Sequence, residues 1–339
     1  MFGKKLGIDL GTANSVAFVE GEGIVLTEPT VVAIDVNTFT VIAVGKEAKE
    51  MIGKTPDNII AKRPLRNGVI ADSRVTEALL RHFYDKALGK SRFFKPDVVI
   101  SVPAGITSVE ERAVYKAANA VGSKSITLMP EPLLAALGAG LPINTSSGNM
   151  IINMGGGTAE IAVMSLDGIV GYESLRVAGD ALNEYIISYM RKKKGLLIGE
   201  QTSENIKMTI GSAVEVKDPK ELEVRGRDVG AGMPKSIVVN SNDVAKALEF
   251  PLRSIIKSIQ NVLEKTPPEL SADIIDRGIV MSGGTAKLRN IDKLFSRATN
   301  VPCYVADDPI FCVAKGTGIA LELIASGERS FSFNRDYRR

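Results

Sequence analysis

Two stretches of the chain place a polar residue, glycines and hydroxyl groups at the junction of two apolar runs. Residues 6–19 read LGIDLGTANSVAFV, and residues 151–163 read IINMGGGTAEIAV. Each pattern predicts an apolar strand, a glycine turn and a second apolar strand. Glycine lets backbone N–H groups approach an anion without an intervening Cβ, and consecutive exposed amides suit phosphate oxygens. The two hairpins are therefore predicted to bind one polyphosphate between them, from opposite sides.

The two hairpins differ in the polar residue that precedes their glycines. Aligned on the glycines, the first hairpin places Asp9 where the second places Asn153. Taken alone, each motif is weak, because three consecutive glycines often form a plain β-turn and the glycines at 283–284 are equally consistent with a simple loop. The phosphate interpretation therefore depends on the motifs occurring together.

The composition favours two lobes and argues against zinc or nucleic-acid chemistry. A chain of 339 residues, 45% hydrophobic and 24% charged, exceeds what one core usually holds. The net charge of +3 is small against 42 basic and 39 acidic residues, so no nucleic-acid partner is expected. His82 is the single histidine, which argues against zinc and against a Ser-His-Asp relay. Cys303 and Cys312 lack metal-ligand spacing and are expected to be reduced, buried thiols.

The sequence also bears on where the chain resides. Its start, MFGKKLGIDL, lacks the apolar region of a signal peptide. No run reaches the roughly 18 uncharged apolar residues expected of a spanning helix. We therefore expect the chain to stay in the cytosol.

Alternating strand and helix patterns predict an α/β architecture that would hold the glycine turns in place. Ser73 is expected to cap one helix, and Thr107 with Glu110 forms a capping box for the next. A long helix predicted over 243–263 is expected to be interrupted at Pro251.

Four motifs occur in one order along the chain, and together they indicate a family. They are IDLGTAN at 8–14, PEPLLAALGAG at 130–140, NMGGGTAE at 153–160 and MSGGTAKL at 281–288. With the phrases GIVLTEPTVVAI, RPLRNGVIAD and LEKTPPELSADIIDRGI, they resemble the MreB family of bacterial actins, within the superfamily of actin, sugar kinases and heat-shock chaperones. The resemblance covers nearly the whole chain.

The resemblance implies a two-lobed, actin-like ATPase fold, in which each lobe is a ribonuclease-H-like α/β subdomain with a smaller inserted subdomain. Lobe I would comprise residues 1–141 and about 311–326, with its small subdomain at about 32–72. Lobe II would comprise residues 142–310, with its small subdomain at about 181–241, and residues 327–339 would form a polar tail. The small residues at 130–140 permit close backbone packing, so that helix is a candidate hinge between the lobes.

The resemblance also implies ATP with Mg²⁺ between the lobes. Asp9 would face the metal through water, with a weaker contribution from Asn153, because Mg²⁺ keeps several waters and needs few carboxylates beside phosphate oxygens. The implied nucleotide positions are Gly11, Thr12, Ala13 and Asn14 in the first loop, Gly155, Gly156, Gly157 and Thr158 in the second, Gly179 and Asp180 near the ribose or phosphates, Glu204 and Lys207 facing the adenosine, and Gly283 and Gly284 beneath the adenine and α-phosphate. Without the resemblance, Glu204 and Lys207 are equally consistent with a solvated helix face.

For hydrolysis, the resemblance assigns Glu131 to orient the attacking water and Thr158 to act beside it. A carboxylate can accept a hydrogen bond from water and align it with the phosphorus. From the residues alone, Glu131 could instead be a first-turn charge that favours the helix dipole.

The chain departs from the family pattern at two positions. The family usually carries aspartate where this chain has Asn153, and often a second threonine where it has Ala159. Asparagine keeps the shape and an acceptor oxygen but loses the charge beside the metal and triphosphate. We therefore expect nucleotide binding to be retained and hydrolysis to be slowed.

The loop KSRFFKP at 90–96 places Phe93 and Phe94 among basic residues. Paired aromatics flanked by cations suit shallow insertion under anionic headgroups, and the resemblance implies a membrane loop here. One loop would bind weakly, whereas a filament repeats it and gains avidity. The alternative is that both rings pack beneath the loop in the core.

The resemblance finally implies polymerisation of the chain with itself and a peripheral position on the inner face of the cell membrane. Cell-shape and wall-synthesis proteins would be further partners. A heat-shock chaperone would need a substrate-binding domain after the nucleotide domain, and a sugar kinase would need a catalytic aspartate with a sugar pocket. The sequence shows no motif for the latter, and a small-molecule kinase or a chaperone-like nucleotide switch stays the alternative.

Overall fold

The computed structural model describes residues 4–66, 68–89 and 95–327. Phe93 and Phe94, for which the sequence predicts membrane contact, lie outside the described residues, as does the chain from residue 328 onward. Within the described ranges strands and helices alternate, as the sequence predicts.

The two glycine turns are held by strands and helices from all parts of the described chain. In order, the strands are β1 (Lys5–Leu10), β2 (Asn14–Val19), β3 (Gly23–Pro29), β4 (Val32–Asp35), β5 (Val41–Val44), β6 (Ile59–Lys62), β7 (Leu65–Arg66), β8 (Val69–Ile70), β9 (Asp97–Val102), β10 (Ser125–Pro130), β11 (Asn149–Met154), β12 (Ala159–Ser165), β13 (Gly168–Leu175), β14 (Leu196–Leu197), β15 (Glu221–Asp228), β16 (Pro234–Asn240), β17 (Ile279–Ser282) and β18 (Cys303–Val305). The helices are α1 (Lys46–Met51), α2 (Ser73–Leu88), α3 (Ser108–Val121), α4 (Glu131–Gly138), α5 (Gly179–Lys194), α6 (Glu200–Ile210), α7 (Ser241–Lys265), α8 (Pro268–Arg277), α9 (Ile291–Thr299) and α10 (Cys312–Ser326).

Two five-stranded sheets share one topology. The first has the order β3-β2-β1-β9-β10, and the second has the order β13-β12-β11-β17-β18. In both, three consecutive antiparallel strands are followed by two parallel strands. Asp9 and Asn153 are each the fifth residue of a six-residue strand, β1 and β11, that leads into a glycine turn. The two turns therefore occupy corresponding places in a duplicated fold.

Smaller sheets are inserted beside the two large ones. The sheet β5-β4-β6, with α1, follows β3, and the sheet β14-β15-β16 lies between α5 and α7 in the chain. The boundaries of the lobes and of their small subdomains stay predictions.

Helix ends match the sequence predictions in part. Thr107 and Glu110 form both hydrogen bonds of the capping box that starts α3. The prediction that Ser73 caps α2 is wrong, because the side chain of Asp72 accepts the backbone N–H groups and Ser73 is the first helical residue. The predicted interruption at Pro251 is also wrong, since α7 continues through it.

Helices α4 and α10 cross between the two sheets at close range. A Cβ added to Gly316 of α10 would clash with the carbonyl oxygen of Leu134, and one added to Gly138 of α4 would clash with that of Cys312. Apolar residues of both helices form a cluster with residues of β9, β11 and β12. The glycines therefore permit a backbone-to-backbone contact that larger residues would prevent.

One helix in the described ranges is long and apolar enough to cross a membrane by length and composition alone. It spans Pro309–Ser326 and contains the charged residues Lys315 and Glu322. In the structure this segment includes α10, whose residues Val313, Ala320 and Leu321 are buried in the cluster with α4. The packing is that of a core helix, which passes the same test of length and hydropathy.

Candidate functional site

The first glycine turn, between β1 and β2, is held by hydrogen bonds from Thr30, just after β3, and from Gly68. The hydroxyl of Thr30 donates to the carbonyl oxygen of Gly11 at 2.7 Å, and the backbone N–H of Thr30 donates to that of Ala13 at 3.0 Å. The hydroxyl of Thr12 accepts the N–H of Gly68 at 2.9 Å. Asn14 begins β2 and is exposed. These contacts fix the backbone of the turn before any ligand binds.

The second glycine turn, between β11 and β12, collects several of the predicted positions. The carbonyl oxygen of Gly155 accepts the backbone N–H of Gly179 at 3.1 Å and the hydroxyl of Thr285 at 2.9 Å. The carbonyl oxygen of Gly156 accepts the N–H of Asp180 at 2.8 Å. The start of α5 is thus bound to the turn, and Gly157 and Thr158 beside it are buried.

The two turns face each other directly. A Cβ added to Gly156 would lie 2.5 Å from the Cβ of Ala13, which is closer than two carbon atoms can approach. Only glycine at this position therefore permits the observed approach of the second turn to the first. The backbones of the two turns thus meet at this point, and we call the region between the two turns the cleft.

The remaining predicted nucleotide positions border the second turn. Gly283 follows β17, and its N–H donates to the carbonyl oxygen of Pro309 at 2.7 Å, while Gly284 is exposed. On α6, the ammonium of Lys207 donates to the carbonyl oxygen of Gly179 at 2.6 Å, and burial lowers the pKa of Lys207 to about 8. Its neighbour Glu204, one turn earlier, forms an ion pair with a lysine of α1 instead.

Asp9 is held at the base of the cleft. The hydroxyl of Ser101, on β9, donates to Oδ1 of Asp9 at 2.9 Å and accepts the N–H of Leu10 at 3.0 Å. Burial raises the pKa of Asp9 to about 6, although the hydrogen bond from Ser101 acts in the opposite direction. Ser101 therefore orients the carboxylate, a contact that the sequence reasoning missed.

Glu131 and Asn153 are joined in the structure. The side-chain nitrogen of Asn153 donates to Oε2 of Glu131 at 3.2 Å, and its Oδ1 accepts the hydroxyl of Ser282 at 3.0 Å. Glu131 is 7% exposed at the start of α4. Burial raises the pKa of Glu131 well above its ordinary value, and the nearby carboxylates of Glu160 and Asp9 raise it further.

Glu160 is a third buried carboxyl that the sequence reasoning missed. It lies opposite Asn153 in the register of β11 and β12, and it is fully buried. Its carboxylate accepts the N–H of Ala104 at 3.0 Å and the hydroxyl of Ser174 at 2.8 Å. Burial raises the pKa of Glu160 to about 7, whereas these two hydrogen bonds lower it. An acid inside an otherwise apolar strand is the sequence signal that could have indicated Glu160.

A cavity of about 330 Å³ opens beside the second turn. It is lined by residues of both halves of the molecule, including Pro103, Thr158 and Ser174. Thr158, which the resemblance places beside the attacking water, thus borders solvent-accessible space.

The donor set fits a hydrated Mg²⁺ bound together with phosphates. In the described part of the chain no group of three or more His, Cys, Asp or Glu side chains could hold a metal by itself. Mg²⁺ typically takes one or two carboxylates and completes its shell with waters and phosphate oxygens, which the single oriented carboxylate of Asp9 suits. The carboxylates of Glu160 and Asp9 contribute to the raised pKa of Glu131, so a cation bound here would relieve charge repulsion at Glu131.

The duplicated sheets, with a glycine turn at the same place in each, define an actin-like fold. The family model described as MreB/Mbl protein matches residues 3–329. The chain belongs to the MreB/Mbl family.

Relatives of this family align over nearly the full length of the chain. The cell shape-determining protein Mbl of Bacillus cereus is 50% identical over 324 residues, which cover 96% of this chain and 97% of that protein. The cell shape-determining protein MreB of Escherichia coli K12 is 48% identical over 330 residues, which cover 96% of this chain and 95% of that protein. The crystal structure of MreB 5 of Spiroplasma citri bound to AMPPNP is 35% identical, with a TM-score of 0.92, and the match covers 97% of this chain and 98% of that one.

Proposed function

We propose that this chain is a bacterial actin that binds ATP with Mg²⁺ in the cleft between its two glycine turns and polymerises into filaments. The observation that carries the proposal is the direct approach of Gly156 to Ala13, which brings two backbone-lined turns together above buried carboxyls. The structure of MreB 5, solved with AMPPNP, supports nucleotide as the ligand of this cleft. Lobe I, at 1–141 and about 311–326, and lobe II, at 142–310, would enclose it.

The residues of the two turns bind and orient the triphosphate in this proposal. The turns at 11–14 and 155–158 would bind the phosphates, and Gly179 and Asp180 would lie near the ribose or phosphates. Glu204 and Lys207 would face the adenosine, and Gly283 and Gly284 would pass beneath the adenine and α-phosphate. Mg²⁺, held through water by Asp9 and more weakly by Asn153, would neutralise charge on the phosphate oxygens. Ser101 keeps the carboxylate of Asp9 in one orientation for this role.

Hydrolysis depends on a water aligned with the γ-phosphorus. Glu131 would accept a hydrogen bond from that water, with Thr158 beside it. Asn153 holds Glu131 by the bond from its amide, so it positions the general base even though it lacks the usual charge. The protein would therefore be a slow ATPase in which the position of the general base is retained.

Filaments of this protein would lie on the inner face of the cell membrane and act in cell shape with wall-synthesis proteins. The names of the relatives, cell shape-determining proteins Mbl and MreB, support this role. Phe93 and Phe94 would insert among anionic headgroups, with repetition along the filament supplying the avidity.

Sedimentation with electron microscopy of the pellet tests the proposal. We expect protein in the pellet with ATP and Mg²⁺, filaments in the images and slow release of phosphate. A protein that binds ATP yet stays in the supernatant at every concentration would favour a small-molecule kinase or a nucleotide switch. Membrane binding is tested by replacing Phe93 and Phe94 with serine, which should abolish sedimentation of the protein with anionic liposomes. Undiminished sedimentation would favour the alternative in which both rings pack in the core.

A further inference from the structure

Arg63 reaches across the cleft to the acidic starts of α5 and α6. One terminal nitrogen of its guanidinium lies 2.8 Å from Oδ2 of Asp180, and the other lies 2.6 Å from Oε1 of Glu200. The side chain of Arg63 is 16% exposed and that of Glu200 is 47% exposed, so the ion pair is partly shielded from water but still open to screening by salt. A planar guanidinium that serves two carboxylates at once fixes their relative position, which a single flexible ammonium does not.

Lys49 makes a second connection of the same kind. Its ammonium, on α1, lies 3.0 Å from Oε2 of Glu204 on α6. The side-chain nitrogen of Gln201 donates to the carbonyl oxygen of Lys49 at 3.1 Å. Helix α6 therefore contacts α1 through one ion pair between side chains and one hydrogen bond to a backbone carbonyl. We call the contacts centred on Arg63 and Lys49 the clasp.

The clasp lies directly beside the second glycine turn. The backbone N–H of Asp180 donates to the carbonyl oxygen of Gly156, and Glu204 shares its helix with Lys207, which binds the carbonyl oxygen of Gly179. The acids that the clasp engages are thus attached to the wall of the cleft. Separating β6 and α1 from α5 and α6 requires these ion pairs to break.

We propose that the clasp retains the bound nucleotide, because Arg63 and Lys49 hold the cleft closed and so slow dissociation of the ligand. This inference rests on the proposed nucleotide binding. Arg63 and Lys49 are positioning residues, since they act through α5 and α6. Opening and closing of such elements commonly sets the rate at which ligands leave.

The test is the dissociation rate of a fluorescent ADP, the N-methylanthraniloyl derivative, chased with excess ATP in a stopped-flow instrument. With Arg63→Ala we expect dissociation about three- to tenfold faster than in the wild type, the size expected for a partly buried ion-pair network. Glu200→Gln, which changes a half-exposed acid and keeps its shape, should act in the same direction with a smaller effect. This second variant keeps the test valid if Arg63→Ala does not fold.

The matched control is Lys62→Ala. Lys62 precedes Arg63 and pairs at 2.7 Å with Asp72, the cap of α2, on its own side of the cleft. Its removal also deletes an ion pair, but no contact across the cleft, so the wild-type dissociation rate is expected. Equal dissociation rates in wild type, Arg63→Ala and Glu200→Gln would overturn the inference.

A double-mutant cycle separates the clasp from general destabilisation. In the Arg63→Ala background, Glu200→Gln should add little, because its partner is already absent. Raising the ionic strength should accelerate dissociation from the wild type more than from Arg63→Ala. If the labelled nucleotide binds none of the proteins, the proposed function fails. If the labelled nucleotide binds the wild type and every variant, but the two substitutions change the dissociation rate additively and salt affects the wild type and Arg63→Ala equally, the clasp is ruled out and the proposed function stands.

Discussion

The side-chain nitrogen of Asn153 donates a hydrogen bond to Oε2 of Glu131 across 3.2 Å, inside the molecule. Oδ1 of the same amide accepts the hydroxyl of Ser282, so both ends of the amide have a partner. An aspartate could keep the bond from Ser282, but it has no hydrogen to donate to Glu131. Asn153 therefore joins two functions: it removes one charge from a crowded acidic site and holds the proposed general base.

The first prediction concerns Asn153→Asp. Without nucleotide, the variant should lose about 1–3 kcal/mol of unfolding free energy, because a hydrogen bond is replaced by two adjacent carboxyls. With ATP and Mg²⁺, it should release phosphate faster, by about tenfold, since the metal regains a charged partner. Denaturant unfolding and a phosphate-release assay measure the two effects. Ser282→Ala, which leaves the bond to Glu131 in place, is the control, and equal phosphate release in wild type and Asn153→Asp would remove any catalytic role for the amide.

The second prediction concerns Glu131→Gln. Phosphate release should fall by about 100-fold, because a neutral amide is a poor acceptor for the proton of the attacking water. Binding of labelled ATP should persist, and the nucleotide-free protein should become more stable near neutral pH, since a buried acid with a raised pKa is removed. Equilibrium binding, phosphate release and unfolding are measured on the same preparation. Unchanged phosphate release would mean that Glu131 does not orient the water and serves only as a first-turn charge that favours the dipole of α4.

Local chemistry explains what could be predicted about the fold. Glycines, capping residues and apolar periodicity act within a few residues, so both hairpins and the capping box of Thr107 and Glu110 were predictable. The sequence predicts Ser73 as the cap of α2, whereas the cap is Asp72, one residue earlier, because both residue types are good caps. Pro251 stays inside α7 since it is buried against the core, and tertiary packing there offsets the lost backbone bond.

Long-range contacts explain what could not be predicted about the site. The resemblance named Glu204 and Asp180 as ligand positions, but nothing in the sequence indicates that Lys49 and Arg63 lie against them. These partners are more than 100 residues apart in the chain, and they meet because α1 and the end of β6 lie against α5 and α6. Glu160 was missed for a related reason, because its partners come from two other strands or loops.

The third prediction is a pH dependence that arises from Glu160. Burial raises its pKa from 4.5 to about 7, so between these values the folded protein binds more protons than the unfolded chain does. The stabilisation is complete below about pH 4.5 and is lost as the pH rises through about 7, with an upper size of about 3 kcal/mol. Asp9, with a pKa of about 6, adds to the same slope.

Glu160→Gln tests this dependence because glutamine keeps the shape without titrating. The unfolding free energy of nucleotide-free wild type should decrease between pH 5 and pH 7.5, and the decrease should be smaller in Glu160→Gln. Glu264→Gln, an exposed site, should retain the wild-type slope. Identical slopes in wild type and Glu160→Gln would mean that Glu160 is ionised at the lower pH.

The fourth prediction links the crossing of α4 and α10 to the site. Glu131 is the first residue of α4, so any displacement of that helix moves the proposed general base. A methyl group at Gly316 meets the carbonyl of Leu134, which is backbone and cannot rotate away, whereas one at Gly318 meets only the ring of Phe18. Gly316→Ala should therefore cost about 2–3 kcal/mol despite the better helix propensity of alanine.

Gly318→Ala, in the same helix, is the matched control for Gly316→Ala and should cost less because the ring of Phe18 can shift. Gly171→Ala on β13 has open space around it and serves as the neutral reference for unfolding. Phosphate release should fall more in Gly316→Ala than in Gly318→Ala, since only the former pushes on α4. If both variants lose equal stability and equal activity, the backbone contact between the helices does not set the position of Glu131.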